Sequence, residues 1–274
     1  MLLPIAALSI FFAWFTLRGT ADGARVSSPA LVVSKQNITA PVPPKARVRT
    51  PALQQSHKGS IALIIDDLGY GESLDRAMRI DPNVSFAILP NSNRATSVAE
   101  RLHERGFEIL CHLPMEPMDG TVDPGRNAVL TSMSNAQIAT ATRESVAAIP
   151  YARGVNNHMG SRETADRRVM STVIGALPDG FYFVDSRTGE QSVAADVART
   201  MNVKTATRHV FLDSDRSEEA VRRQVRLLAS IAEEKGVAVG IGHPYDVTLR
   251  ILLQEAPALR ERGIRFVRAS EVVR

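Results

Sequence analysis

The sequence predicts an α/β domain whose parallel strands form a closed or incomplete barrel across residues 59–274. Short apolar runs alternate with helical patterns along this stretch, which is typical of a parallel sheet covered by helices. The first run, residues 61–65, is apolar at every position, as expected of a strand covered on both faces. Seven or eight such units fill the stretch. This number favours a barrel, and an open doubly wound sheet is the alternative.

Eight apolar runs are predicted as strands, and four segments between them as helices. The strands are residues 61–65, 84–89, 107–111, 154–155, 181–184, 209–212, 237–241 and 264–267. The helices are residues 95–105, 135–148, 190–201 and 217–235. Ser134 and Ser217 stand where an N-cap is expected, and Gly236 is a helix stop.

Residues 1–24 are predicted to be a signal peptide or an N-terminal membrane anchor. Residues 1–17 carry no charged side chain, and Arg18 and then small residues follow them. An uncleaved anchor with basic residues only after the apolar run would instead leave the next segment in the cytoplasm. We expect export to the periplasm, or anchoring in the envelope with residues 1–17 as a membrane tether.

Residues 25–58 are predicted to be a disordered linker, and residues 59–274 the folded domain. The linker holds five prolines and no apolar periodicity, so it cannot bury enough surface to offset its chain entropy. Residues 18–58 carry seven basic residues and one acid, whereas residues 59–274 carry 26 basic and 28 acidic residues. Because the positive excess lies outside the domain and aromatic residues make up 5% of the chain, the composition argues against nucleic-acid binding.

Polar side chains that bind metals or transfer protons follow most of the predicted strands. In chain order they are Asp66, Asp67, His112, Glu116, Asn156, Asn157, His158, Asp185, Asp213 and His243. In α/β barrels the carboxyl ends of the strands meet at one rim, where active sites lie. Three histidines and several carboxylates on one rim suit zinc and its neighbours among the divalent metals.

Each of these residues also has a structural interpretation. A single aspartate after a strand commonly caps the following helix; this is favoured for Asp213 and evenly balanced against a functional role for Asp185. The adjacent carboxylates of Asp66 and Asp67 repel each other, so a cation or a shared proton is expected beside them. His243 follows Gly240-Ile241-Gly242, where the backbone can approach closely, and a functional role is favoured for it.

Other catalytic and cofactor motifs are absent from the sequence. Cys111 adjoins His112, but neighbouring strand residues point to opposite faces, so the two cannot form a nucleophile pair and Cys111 is predicted to pack in the core. A single cysteine also excludes an internal disulfide framework. The chain holds neither a Gly-x-Ser-x-Gly elbow nor a phosphate-binding Gly-Lys-Ser/Thr loop.

Seven segments carry a resemblance to a known family. In order they read IALIIDDLGYG, SFAILPNS, ILCHLPMEPMD, GVNNHMGS, FYFVDSRT, VFLD and VGIGHP. As a set they resemble the divergent polysaccharide deacetylase family, a bacterial branch of the polysaccharide deacetylase (carbohydrate esterase) superfamily, across residues 59–274. The resemblance implies a deformed (β/α) barrel of about seven parallel strands and an exported protein.

The resemblance implies a divalent metal, with zinc expected, and a ligand set. Asp67 matches the second aspartate of the superfamily's Asp-Asp pair, a metal ligand, and His112 matches the first histidine of its His-x-x-x-His motif. Glu116 stands where the second histidine would be, so His158 is predicted as the third ligand. Glu116 and Asn157 are further candidates for the metal or for support of its ligands.

The resemblance also implies two residues that transfer protons. Asp66 matches the first aspartate of the pair, the general base, and His243 matches the histidine that acts as general acid. Asp185, or Arg187 two residues later, is predicted to hold one of them in its working state.

The predicted function is removal of acetyl groups from a cell-envelope glycan by metal-assisted hydrolysis. Tyr70, Tyr182 and Tyr245 are the candidate aromatic platforms for a sugar. Two alternatives remain open. One is a non-catalytic envelope protein that binds glycan or a partner, favoured by the missing second histidine. The other is a metal-dependent amidase acting on peptide bonds, which would need the same water-activating residues.

Overall fold

The computed structural model describes residues 57–70 and 73–274, which form a deformed (β/α) barrel. Its strands are β1 (Gly59–Leu68), β2 (Ser85–Ile88), β3 (Glu108–Met115), β4 (Gly154–Met159), β5 (Tyr182–Asp185), β6 (Thr205–Thr207), β7 (Val210–Phe211), β8 (Val237–Gly242) and β9 (Ile264–Val267). Its helices are α1 (Leu74–Ala77), α2 (Ala95–Glu104), α3 (Asn135–Ala147), α4 (Arg167–Gly175), α5 (Ala194–Thr200), α6 (Glu218–Lys235) and α7 (Asp246–Glu261). The barrel prediction is confirmed, with nine described strands where about seven were expected.

All strand pairs are parallel, and the first strand, β1, pairs with three neighbours. The strands run in the order β6-β5-β4-β3-β2-β1-β8-β7. The N-terminal half of β1 pairs with β9 on the same edge where its C-terminal half pairs with β2. Between β6 and β7 the chain itself closes the gap: the Arg208 N–H donates to the Asp185 carbonyl (3.0 Å) and the His209 N–H to the Val239 carbonyl (2.8 Å).

Alternate residues of the strands build two separate apolar layers. Ile61, Leu63 and Ile65 face the surrounding helices, whereas Ala62 and Ile64 face the barrel interior. Both sets are fully buried. This arrangement explains why residues 61–65 are apolar at every position, since neither face of β1 meets water there.

Helix α6 shows how the sequence sets a helix and its position. The Ser217 hydroxyl accepts a hydrogen bond from the Ala220 N–H, and Gly236 ends the helix in a left-handed conformation (φ 80°). The buried residues lie at helical spacing on one face, which packs against β1 and β8. Gly240 of β8 leaves the space that the Leu228 side chain fills.

Several boundaries differ from the sequence predictions for local reasons. Strand β6 and helices α1, α4 and α7 lie outside the predicted elements, and α7 contains Pro257, a residue that in a sequence indicates a helix end. Helix α5 begins at Ala194 instead of residue 190, because the preceding residues form a turn in which Ser192 N–H donates to the Gly189 carbonyl. The predicted packing of Cys111 in the core is confirmed, since its side chain is fully buried.

Residues 1–24 and all but the last two residues of the predicted linker lie outside the described residues. Export, the membrane tether and the domain boundary at residue 59 therefore stay predictions. Within the described part of the chain, no helix combines the length and apolar character needed to cross a bilayer.

Replacing Gly160 with alanine is expected to destabilise the barrel through one close contact. Gly160 follows β4 with φ 80°, and an added Cβ would lie 2.7 Å from Met115 Cβ. Gly180 is the matched control, because its φ of 81° imposes the same backbone penalty and no atom lies within 4 Å of an added Cβ. We expect Gly160→Ala to lower the free energy of unfolding by about 1–3 kcal/mol more than Gly180→Ala, measured by urea denaturation. Equal losses would show that Met115 moves aside at no cost.

Candidate active site and metal centre

At the carboxyl ends of the strands, polar side chains follow the apolar ones on the face that lines the barrel interior. Side chains two residues apart on a strand share a face. Asp66 comes two residues after Ile64, His112 two after Leu110, and His243 two after Ile241; those three apolar residues all line the interior layer. The period of the strands thus brings a carboxylate and two imidazoles together above the interior core.

Asp67 joins this site because the backbone of β1 is irregular at that point. In a regular strand Asp67 would point away from Asp66, towards the helices. The pairing of β1 with β2 shifts register between Ile65 and Leu68, and Asp67 has φ 57° in the left-handed region. This conformation costs a non-glycine residue of order 1–3 kcal/mol and is typical of functional sites. It turns both carboxylates towards the same rim.

Asp67, His112 and His158 form the candidate metal centre. Asp67 Oδ1 lies 3.1 Å from His112 Nε2 and 2.9 Å from His158 Nδ1, and those two nitrogens are 3.2 Å apart. Two ligand atoms about 2.0–2.1 Å from a tetrahedral ion are about 3.3 Å apart, so the spacing is close to that of a ligand set.

The chemistry of the three atoms also fits a cation. Asp67 Oδ1 is buried and receives no hydrogen bond of good geometry from any described residue. An acceptor left in this way is costly unless an ion compensates it. One carboxylate oxygen and two imidazole nitrogens are ligands that divalent transition metals accept. The residues present therefore fit a divalent metal ion.

Asn156 sets the orientation of His112. Its side-chain amide donates to both carboxylate oxygens of Asp66, at 2.9 and 3.1 Å. Because a carboxylate only accepts, the Asn156 nitrogen must face Asp66, and its oxygen faces His112 Nδ1 at 2.9 Å. In the neutral imidazole, His112 Nδ1 therefore carries the proton, and the lone pair of Nε2 is on the side of Asp67 and His158. Such a contact is typical of metal-binding histidines.

The electrostatics of the cluster reflect buried opposite charges. Burial raises the pKa of Asp66 above its usual value. Burial by itself would lower the pKa of His112, but the charges of Asp66 and Asp67 outweigh it and raise the pKa to about 9. Burial would raise the pKa of Asp67, but the adjacent imidazoles of His112 and His158 outweigh it and hold that pKa below its usual value.

His243 lies near the second oxygen of the Asp67 carboxylate and is held by Asp213. His243 Nε2 lies 3.6 Å from Asp67 Oδ2. His243 Nδ1 lies 2.9 Å from Asp213 Oδ1, and the His243 backbone N–H donates to Asp213 Oδ2 at 2.7 Å. Thr248 Oγ1 donates to the same carboxylate at 2.8 Å. Burial lowers the pKa of His243, but the hydrogen bond and charge of Asp213 outweigh it, so that the net shift is upward.

Removing the Asp213 carboxylate should be costly to stability. Asp213→Ala would leave the His243 N–H and the buried Thr248 hydroxyl without their acceptor, and an unsatisfied buried group costs about 1–3 kcal/mol. We expect the free energy of unfolding of the metal-free protein to fall by about 2–5 kcal/mol in urea. Thr248→Val removes one of these bonds and keeps the shape, so its loss should be clearly smaller. A loss for Asp213→Ala no larger than that for Thr248→Val would contradict this role of Asp213.

The structure places Glu116 and Asn157 outside the metal cluster. Glu116 Oε2 accepts from the Thr131 N–H and hydroxyl at 2.9 and 2.7 Å, and its Oε1 lies 3.3 Å from Arg162 Nε. Asn157 faces the other side of β4, where its amide donates to the Met159 carbonyl at 2.7 Å. Neither side chain is in the described group of metal-ligating atoms.

Asp185 ends β5 and Arg187 lies in the loop that follows, also outside the metal cluster. Asp185 accepts from the Arg187 N–H and from the Ser192 hydroxyl, both at 2.8 Å. These contacts occupy both of its oxygens, and among the described residues none of its hydrogen bonds reaches Asp66 or His243. The predicted catalytic role of Asp185 stays a prediction without a contact to support it.

Two residues were missed as partners in the site, Asn156 and Asp213. The sequence holds a signal for Asn156, whereas the signal for Asp213 appears only in the strand pairing. Asn156 is two residues before His158 and therefore shares its face, whereas Asn157 does not. Asp213 and His243 follow β7 and β8, which pair directly, so their side chains meet. Helix capping, the role favoured for Asp213 from the sequence, is not what its carboxylate does, because its oxygens bind His243 and Thr248.

Comparison with known proteins agrees with this arrangement. The profile of the family described as divergent polysaccharide deacetylase matches residues 63–273. The uncharacterised protein YibQ of Escherichia coli K12 is 37% identical over 199 residues, covering 72% of this chain and 62% of YibQ, so the match leaves more than a third of that relative outside.

Two solved structures share the fold. An uncharacterised protein from Agrobacterium tumefaciens, ATU2773, is 24% identical with a TM-score of 0.74, covering 78% of this chain and 89% of that one. A T48 deacetylase solved with substrate is 13% identical with a TM-score of 0.50, again covering 78% of this chain and 89% of that one. These likenesses concern the fold, whereas the profile match spans nearly the whole domain. The chain belongs to the divergent polysaccharide deacetylase family.

Proposed function

We propose that this protein is an exported, metal-dependent hydrolase that removes acetyl groups from a glycan of the cell envelope. The observation that carries the proposal is the convergence of a carboxylate and two imidazoles, Asp67, His112 and His158, between a second carboxylate and a third imidazole. Family membership supports the substrate class. The apolar N-terminal segment is the ground for export.

The residues divide into three tasks. Asp67, His112 and His158 would hold the metal, with zinc expected from their chemistry. When bound, such an ion polarises the acetyl carbonyl and makes water more acidic. Asp66 is the base that removes the proton from the attacking water, and Asn156 holds it beside His112, with Asp66 Oδ2 3.6 Å from His112 Nε2.

His243 is positioned to protonate the leaving group. Its Nδ1 is bound to Asp213, so its Nε2 is the nitrogen that faces Asp67 Oδ2. The upward shift in the pKa of His243 favours the protonated form that an acid needs.

The rim is open enough for a polymer. The Asp67 side chain is 28% exposed and that of His158 17%, so two of the candidate ligand residues border solvent. Tyr70 is 63% exposed at the end of β1, and the Tyr245 ring lies 5.3 Å from that of His243. Both remain candidate platforms for a sugar. Tyr182 does not, because it is buried at the opposite end of the barrel, where β5 begins.

Acetate release tests the proposal. The purified protein, loaded with zinc, should release acetate from acetylated chitooligomers or from cell-wall glycan, and stripping the metal with a chelator should abolish the release. Re-adding zinc should restore it. Binding of these glycans without any acetate release across the panel would favour the non-catalytic alternative, and release of a new peptide amine would favour the amidase.

A further inference from the structure

A cavity lies on the rim between β5 and β7. It has a volume of about 340 Å³ and is lined by Arg187, Thr188, Gly189, Glu190, Arg208 and His209. Its residues belong to the loop that follows β5 and to the segment that closes the barrel between β6 and β7. None of them has a task in the proposed hydrolysis.

Arg208 is fixed in this cavity by the loop itself. Its Nε donates to the Ser186 carbonyl at 2.6 Å and its Nη2 to the Arg187 carbonyl at 2.7 Å. Its guanidinium also lies 5.0 Å from the centre of the Phe211 ring. The remaining nitrogen, Nη1, has no hydrogen bond to a described residue, so part of a rigid fork is available to a ligand.

Arg187 adds a second positive charge beside it. Its guanidinium is exposed and forms no ion pair within the described part of the chain, while its backbone is held in the left-handed region with φ 47°. The two arginines line the same cavity, and the Arg187 carbonyl accepts the hydrogen bond from Arg208 Nη2. Burial lowers the pKa of Arg208, and the charge of Arg187 lowers it further, whereas Asp185 and Asp66 act in the opposite direction.

The acidic group that lines the cavity does not neutralise this pair. Glu190 is exposed and forms no described ion pair with either arginine. Asp185 already accepts two hydrogen bonds from its own loop. His209 contributes no charge, because burial and then Lys235 lower its pKa. Two arginines that line one cavity and form no ion pair among the described residues attract an anion, which an arginine fork can bind with two hydrogen bonds.

The cavity is within reach of the hydrolytic site. Arg208 and His243 both contact Phe211: Arg208 Cζ is 5.0 Å from the centre of the Phe211 ring, and the centre of the His243 ring is 5.1 Å from it. The arginine is therefore at most about 10 Å from the His243 ring. A group bound at Arg187 and Arg208 would belong to the same sugar as the acetyl group, or to its neighbour.

We propose that Arg187 and Arg208 form a subsite for an acidic group of the glycan, so that the substrate is an acidic sugar polymer and not a neutral one. Calling the bound glycan a substrate rests on the proposed function. The subsite itself is a binding site and does not depend on catalysis. An arginine fork pairs with either a carboxylate or a phosphate, and both are oxyanions of the required shape.

Binding of three disaccharides, followed by nuclear magnetic resonance titration, tests the subsite. The neutral reference is di-N-acetylchitobiose. The carboxylate probe is the disaccharide of N-acetylglucosamine and N-acetylmuramic acid, and the phosphate probe is the 6-phosphate of the reference. We expect at least one acidic probe to bind about tenfold or more tightly than the reference at low salt, and the preference to shrink as salt is added. The tighter acidic probe identifies the group.

Matched variants locate the preference. Arg187→Gln should remove most of it, and Arg187→Lys should keep part, since lysine retains the charge but not the fork. Arg265→Gln is the control: Arg265 is an exposed arginine of β9, which pairs with the N-terminal half of β1 away from the rim, and its loss changes the net charge equally. Because the Arg187 side chain is exposed, its variants should fold normally, which thermal unfolding checks.

Three results would overturn the subsite. They are equal binding of all three probes, an acidic preference that survives Arg187→Gln, and no binding of either acidic probe at millimolar concentration. None depends on acetate release. If acidic probes bind through Arg187 but no acetate is ever released, the subsite stands and the hydrolase proposal fails.

Discussion

Replacing His112 or His158 with alanine is expected to lower the metal content of the purified protein by about tenfold or more. No other single substitution discussed here should lower it as much. Each imidazole supplies one of the three atoms that surround a common point, with separations of 2.9–3.2 Å. Losing either imidazole leaves two protein ligands, whereas structural zinc sites have four and catalytic zinc sites have three. Inductively coupled plasma mass spectrometry of the dialysed protein measures the effect.

The control for this experiment is His103→Ala. His103 is an exposed histidine of α2 whose ring stacks on Tyr151 at 3.8 Å, so its loss removes an imidazole without touching the cluster. It should leave the metal content unchanged. Full metal occupancy in both His112→Ala and His158→Ala would show that the ion is held elsewhere, and Glu116 and His243 would then be examined next.

Asp66→Asn is expected to remove most of the turnover while the metal stays bound. The asparagine keeps the shape beside Asn156 but is not a proton acceptor of comparable strength, and general-base catalysis contributes about 10²–10⁴-fold. The metal should remain because Asp66 is not one of the three clustered ligands. Single-turnover acetate release and metal analysis of the same sample measure both parts.

The matched control is Asp185→Asn, with turnover measured on a neutral glycan. Asp185 is as buried as Asp66, at 2% exposure for each, and also ends a strand, but its oxygens bind its own loop. We expect a loss below about tenfold, which is small beside the loss of a general base. If instead Asp185→Asn abolishes turnover and Asp66→Asn does not, the roles of the two carboxylates are reversed.

The strand period explains how much of the site was predictable. Apolar runs that alternate with helical patterns indicate a parallel barrel, and the rim residues follow from where each run ends. Asp67, His112 and His158 were predicted as a ligand set, and the structure brings those three together. That they bind a metal stays a prediction.

The parts that were not predictable depend on contacts between distant strands. The left-handed backbone of Asp67 leaves no pattern in the sequence, yet it decides that both adjacent carboxylates face the rim. The pairing of Asp213 with His243 requires knowing that β7 lies beside β8, whereas Asp185 ends β5 and forms its contacts within its own loop. Strand β6 has three residues, Thr-Ala-Thr, too few to show a period.

Anomalous diffraction from crystals of the zinc-loaded protein, collected on both sides of the zinc absorption edge, tests the central claim most directly. The account predicts one anomalous peak on the rim, about 2.0–2.2 Å from Asp67 Oδ1, His112 Nε2 and His158 Nδ1, with Asp66 and His243 near it but not bound to it. A peak on Glu116, or well-ordered crystals of metal-loaded protein with no peak among these three atoms, would contradict it.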